Sequence, residues 1–315
     1  IRRPPRSTLD RSSAASDVYK RQHIIKPRAD WKIVKESPST ATVDADTGLA
    51  VILGPKAMNI AIEKAKKVGI GMVTMRNAGH SGAIGHHALI AAKQDMLGMC
   101  MTTGGLRVVP TFSSEPLLGT NPIAVAAPTN SKPTFLFDAA TCSVAGNKVR
   151  LAQRSGKKLM PGWISDENGA PIMEEYQLED HIDIPPLLPL GGTREIGSHK
   201  GYGLSLVAEI MCSLMSGGIP SMLEGHEIIS KHFFAAYDIS AFTDIDEFKK
   251  NMDDMLGKLV DSKPAPGFEQ VLYPGLPEYE DENDRLANGI PLHKEVVEFI
   301  QHCLLYTSPS PRDRG

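Results

Sequence analysis

No run of apolar residues in this 315-residue chain approaches the roughly 20 needed to cross a bilayer, so no transmembrane helix is expected. Cysteine is scarce: Cys100, Cys142, Cys212 and Cys303 are scattered, without metal-ligand spacing. Three of them lie in apolar segments, which predicts reduced core thiols and a reducing, cytoplasmic compartment. The Gly-x-Gly-x-x-Gly fingerprint of an ordinary dinucleotide-binding unit is missing, because Gly79, Gly82 and Gly85 recur every third residue instead. The Gly-Lys-Ser/Thr loop of nucleotide triphosphatases is absent too, as is the Gly-x-Ser-x-Gly elbow of one large class of serine hydrolases. His80, His86 and His87 lack the His-Glu-x-x-His pattern or cysteine pair that zinc requires, so no metal is expected.

Ordinary globular composition is also missing at the two ends. Residues 1–22 are rich in Arg, Ser and Pro, have no hydrophobic period and lack the apolar stretch of a signal peptide. Residues 303–315 have the same character, and both ends resemble translated sequencing-adapter sequence joined to a real reading frame. A mitochondrial presequence is the alternative for the first, against which Asp10 and Asp17 count. Residues 1–22 carry a net +4 and residues 304–315 a net +1, so the formal −3 of the whole chain becomes −8 between them. An acidic core without a basic stripe argues against a nucleic-acid partner.

What is present centres on Met75–His87. An apolar run, Ile70–Met75, reads as a buried strand, and a helical pattern over His87–Gln94 follows it. Between them the recurring glycines let backbone approach a ligand around His80. A histidine there suits proton transfer near neutral pH, although a turn-capping histidine would look the same. Upstream, Thr40–Asp44 and Gly48–Leu53 read as short strands around a turn. Pro55–Val68 reads as an amphipathic helix with Pro55 in its first turn, stopped by Gly69. Ala57, Ile60, Ala61, Ala65 and Val68 lie on its apolar face. With Leu97–Thr102 as the next strand, the alternation is that of an α/β protein.

Further on, Gly104–Pro122 reads as loop, followed by strands Ile123–Ala127 and Thr134–Phe137. A helix is expected from about Thr141, a possible cap, to Gly156. Ser198–Gly203 opens an apolar helix running to Met215, and Lys200 at its start is placed to hold a phosphate or carboxylate, or is simply solvated. His232–Asp238 reads as strand and Ile245–Leu259 as helix, with two closing helices between Glu278 and His302. No internal repeat is visible. Glycine and proline concentrate between residues 104 and 225, which suggests an inserted second lobe, with 23–103 and 226–302 forming the first.

Seven motifs then occur in one order: Gly79-His80-Ser-Gly82, Gly119-Thr-Asn-Pro122, Asp138-Ala-Ala-Thr141, Pro161-Gly-Trp163 with Asp166, His199-Lys-Gly-Tyr-Gly-Leu204, Val271-Leu-Tyr-Pro-Gly275 and Asn288-Gly-Ile-Pro291. In this the chain, from about Trp31 to His302, resembles the malate/L-lactate dehydrogenase family, which includes sulfolactate, ureidoglycolate and diketogulonate oxidoreductases. The resemblance implies an α/β fold with a mixed sheet in two lobes, not a Rossmann fold. It implies a homodimer that uses NAD or NADP to oxidise or reduce a small 2-hydroxy or 2-oxo acid. By the same resemblance His80 is the general acid/base, while Asp138, Ala139, Ala140, Lys200, Gly201 and Gly275 contact the cofactor, bound by the second lobe. Gly104 falls where relatives have a small polar residue, and here offers only backbone. Asn121 binds or positions ligand, or stabilises its own loop. Relatives also begin with a Ser-x-His-Gly-x-x-Arg segment, absent before Trp31, which implies a truncated start. A catalytically incomplete relative that binds dinucleotide without turnover is the alternative, and a zinc hydrolase around His80 and His86 the third reading.

Overall fold

Residues 230–236 are all buried, Lys231 and His232 included, around the apolar run Phe233–Ala236, the signature of a central strand covered on both faces. In the computed structural model, which describes residues 25–179, 182–224, 229–292, 294, 296–298, 300 and 301, this segment is the middle of one seven-stranded mixed sheet. The adapter-like ends lie outside the described residues. The strands are β1 (Lys32–Glu36), β2 (Thr40–Asp44), β3 (Ile70–Ala78), β4 (Met96–Thr103), β5 (Ile123–Ala127), β6 (Phe135–Ala139) and β7 (Ser230–Asp238), in the order β1-β2-β3-β7-β4-β5-β6. Only β2 and β3 pair in parallel, joined by a helical crossover.

Two helices cover one face of the sheet, α1 (Ala50–Val68) and α2 (Gly85–Ala92). They pack on Val73, Met75, Cys100, Ala124, Phe234 and Ala236. The approach is close: a Cβ on Gly98 of β4 would fall 2.2 Å from the Ala88 carbonyl oxygen, so α2 lies directly on the strand. On the other face Ala208 and Cys212 of α4 (Ser198–Cys212) meet Met101, Phe233 and Ala235. A third core, around Val108, Leu118, Val149, Ile164 and Leu187, gathers the loops on either side of α3 (Gly146–Arg154). Strands β5 and β6, inside the 104–225 stretch, belong to the main sheet. A four-residue helix, α5 (Ser221–Glu224), precedes β7, and α6 (Ile245–Val260), whose N-terminus Asp244 caps, follows it. Residues 26–276 form one unit. The other unit takes up α7 (Leu276–Asn288) from Pro277 on, with Glu278 in the helix's first turn and Arg285 in its last, in keeping with the helix dipole.

Several local expectations are overturned. Gly48–Leu53 is not a strand; α1 begins at Ala50, so Pro55 sits inside the helix. Ala50, Leu53, Gly54 and Ala57 bury at three- and four-residue spacing while Val51 and Ile52 face outward, which a strand cannot do. Val68 is exposed and Ile60 half-buried, because the buried face runs instead through Met58 and Ile62. β6 continues through Asp138 and Ala139, and the helix expected from Thr141 starts only at Gly146. Cys100, Cys142 and Cys212 are buried free thiols, and burial pushes all three above the usual thiol range.

Candidate active site

The strand directions decide where the candidate residues meet. β3, β4 and β6 all end at one edge of the sheet, and β5 and β7 begin there, as the pairs Ala78–Ser230, Thr103–Lys231, Met101–Ile123 and Ile123–Ala139 show. His80, Gly104, Asn121 and Asp138–Ala140 therefore gather along that edge. Gly275 does not: the N–H of Leu136, near the start of β6, donates to the carbonyl of Pro274.

His80 follows β3 in a tightly tied loop and is itself exposed. The Gly79 N–H donates to the Gly48 carbonyl (2.8 Å), and the His80 carbonyl accepts from Val51 N–H (3.1 Å) at the start of α1. The Gly82 N–H donates to His80 Nδ1 at 3.0 Å, so the neutral ring carries its proton on Nε2. Partial desolvation holds its pKa below the ordinary imidazole value of 6.5. His80 is thus neutral at pH 7 and presents an N–H donor. Asp138, on β6, reaches the same loop: its Oδ2 accepts from the Gly85 N–H (2.7 Å), capping α2.

Asn121 turns away from the open edge. It is 1% exposed, and its Nδ2 donates to the Ser205 hydroxyl (2.9 Å) and to Glu209 Oε1 (3.3 Å) on α4. Glu209 Oε2 in turn accepts from Ser213 (2.8 Å), and Ser213 meets the Thr103 hydroxyl (3.3 Å). Asn121 thereby ties the loop before β5 to α4.

Lys200 and Gly201 sit in the first turn of α4. Gly197 precedes it in the left-handed conformation (φ 116°), and no side chain caps the helix. A Cβ on Gly201 would lie 2.4 Å from the Leu190 nitrogen, and Leu190 N–H donates to the Thr141 carbonyl (3.0 Å). The exit of β6 is thus connected to the start of α2 through Asp138 and to the start of α4 through Thr141. A cavity of about 430 Å³, lined in part by Pro110, Thr111, Phe112, Thr193, Arg194 and Ser198, opens beside the same helix terminus. Among the described residues no three His, Cys, Asp or Glu side chains converge on a point that could hold a metal.

A profile of the malate/L-lactate dehydrogenase family matches residues 18–301. The chain belongs to that family. It is 41% identical over 275 residues to the malate dehydrogenase of Pyrococcus abyssi, covering 85% of this chain and 75% of that one. It is 38% identical over 283 residues to the L-sulfolactate dehydrogenase of Methanocaldococcus jannaschii, covering 88% and 78%. Among solved structures it is similar to malate dehydrogenase from Entamoeba histolytica, with a TM-score of 0.85, 32% identity and coverage of 96% and 86%. The mixed sheet with helices on both faces is the fold of these malate dehydrogenase-type structures, as the sequence resemblance implied.

A malate/L-lactate dehydrogenase family member implies a nicotinamide cofactor, and the residues present suit one. The terminus of α4, which no side chain caps, presents the exposed Lys200, whose ammonium is chemically matched to a phosphate.

Sequence reading missed His232, which β7 brings behind the loop; its Nε2 donates to the Gly79 carbonyl (3.2 Å). Complete burial, with the fields of His87 and His80 adding, pulls its pKa from 6.5 to about 3. Below 6.5 the unfolded chain therefore binds a proton that the folded chain refuses until about pH 3, so stability falls as pH drops through that window. Urea unfolding at pH 7, 5.5 and 4.5 is expected to show a steeper loss for the wild type than for His232→Gln, by up to about 1.4 kcal/mol per pH unit. Parallel losses would contradict this assignment.

Proposed function

We propose that this protein transfers a hydride between a nicotinamide cofactor, NAD or NADP, and a small 2-hydroxy or 2-oxo acid of the malate, lactate or sulfolactate kind. The observation that carries the reading is the His80 ring: exposed where β3, β4 and β6 end, held by backbone contacts, and neutral with its proton on Nε2. When bound, the cofactor supplies or accepts the hydride. In the reducing direction the neutral His80 Nε2–H hydrogen-bonds the 2-oxo oxygen. The ring takes up a solvent proton at Nδ1, which Gly82 N–H releases, and the imidazolium gives its Nε2 proton to that oxygen, leaving the ring neutral with its proton on Nδ1. In the oxidising direction that Nδ1–H tautomer accepts the hydroxyl proton at Nε2, and the imidazolium returns the Nδ1 proton to solvent. His80 is in this sense the general acid/base.

Asp138, Ala139 and Ala140 at the exit of β6, with Lys200 and Gly201 across from them, border the cofactor, and Gly104 offers backbone. Gly275 joins them only through the family likeness of its Pro-Gly turn. The third core, around Leu118 and Ile164, supports a second lobe on the cofactor side. Leu204, Val207 and Ile210 leave an apolar stripe 43–49% exposed along α4, and Leu214 just beyond the helix is 55% exposed, which supports a homodimer. No described helix is long and apolar enough to cross a membrane, and the buried thiols suit a reducing compartment.

Nicotinamide absorbance followed with malate, lactate, sulfolactate and ureidoglycolate against both cofactors tests the reading. Turnover with one acid and one cofactor is the expected outcome and names both. Cofactor binding without turnover of any acid would instead favour a binding protein, and no binding would overturn both.

A further inference from the structure

We infer that His87 and His232 are positioning residues that clamp the peptide carbonyls on either side of His80. His87, on α2, places Nε2 3.1 Å from the Ser81 carbonyl oxygen, and His232, on β7, places Nε2 3.2 Å from that of Gly79. A carbonyl oxygen only accepts, so both rings are Nε2–H tautomers. The His80 carbonyl between them is held by Val51 of α1. Three consecutive carbonyls are therefore tied to three different elements, and the loop cannot shift without breaking one of these bonds.

Both rings are 1% exposed, and neither Nδ1 has a hydrogen-bond partner among the described residues. A buried lone pair without a donor costs free energy that a leucine of similar size would avoid. Packing alone therefore does not explain an imidazole at these two positions; the Nε2–H bonds do. Both rings pack against Phe234, with centroids 5.8 and 6.2 Å away and interplanar angles of 68° and 42°. Gly54, inside α1, makes the room: a Cβ there would lie 2.7 Å from His87 Cε1 and Nε2. A helix-interior glycine costs about 1 kcal/mol relative to alanine, which accords with the space being needed for the ring.

The role assigned to His80 rests on the proposed function; the clamp itself rests on the geometry. The test compares His87→Leu and His232→Leu with His87→Gln and His232→Gln, whose amide N–H₂ can reach the Nε2 position. In the full chain the leucine variants are expected to lower kcat by about 10- to 100-fold. They should leave the KM for cofactor within about twofold and speed amide exchange at residues 79–82. The glutamine variants should recover most of both. Leucine variants with wild-type kcat and slow exchange would overturn the proposal, as would glutamine variants no better than leucine. A leucine variant that fails to fold is replaced by Gly54→Ala, which displaces the His87 ring without removing it. If the wild type turns over no acid, the proposed function fails, and exchange at residues 79–82 alone decides the clamp.

Discussion

Replacing His80 with alanine is expected to lower kcat/KM for reduction of the preferred 2-oxo acid by about 10²- to 10⁴-fold, the range for losing a general acid/base. Affinity for reduced cofactor, read by fluorescence titration, should change less than about threefold. The side chain is exposed and, among the described residues, hydrogen-bonds the Gly82 N–H of its own loop, while the carbonyl bonds that hold the loop involve backbone rather than the His80 imidazole. Alanine therefore removes the Nε2 donor and leaves the loop tied. A loss confined to kcat means that the ring acts on the reacting oxygen. An alanine variant with wild-type turnover would remove His80 from the chemistry. A variant that loses cofactor binding and turnover together would make it part of the binding surface instead.

The largest single-residue effect on stability is expected at Glu224. Lys231 projects from β7 with its side chain only 1% exposed, and its ammonium pairs with Glu224, 22% exposed, on α5. Glu224→Ala removes the carboxylate that pairs with that buried ammonium, and a loss of about 3 kcal/mol is expected. Replacing both residues, as Glu224→Leu with Lys231→Met, removes the charge with its partner and is expected to return stability to within about 1 kcal/mol of wild type. Denaturant unfolding of the three proteins reads this directly. A Glu224→Ala protein as stable as the wild type would mean that Lys231 reaches water after all.

How much of this was legible in the sequence depended on whether the deciding contact is local. β2 and β5 fall at the residues expected, because turn residues bound each short apolar run. α6 falls where Ile245–Leu259 reads as helix, one residue short of its observed end. The start of α1 was not, since Ala50–Leu53 is a strand-like apolar run made helical by the α2 and β3 side chains it packs on. The extension of β6 through Asp138 was hidden by the polarity of that residue, which in the fold caps a helix 53 positions earlier in the chain. His80 stood out because glycines frame it. His232 did not: the β3–β7 register that sets it opposite Met75 has no local signature, and the sequence beside it offers only the short apolar run Phe233–Tyr237. The reaction class came from seven short motifs in order, none of which specifies a reaction by itself.

The measurement that bears most directly on hydride transfer uses reduced cofactor carrying deuterium at both C4 positions, incubated with the preferred 2-oxo acid, and mass analysis of the product. One deuterium bound to carbon 2 of the 2-hydroxy acid is the expected result. Product formed without deuterium, or no oxidation of the cofactor by any 2-oxo acid, would contradict the account.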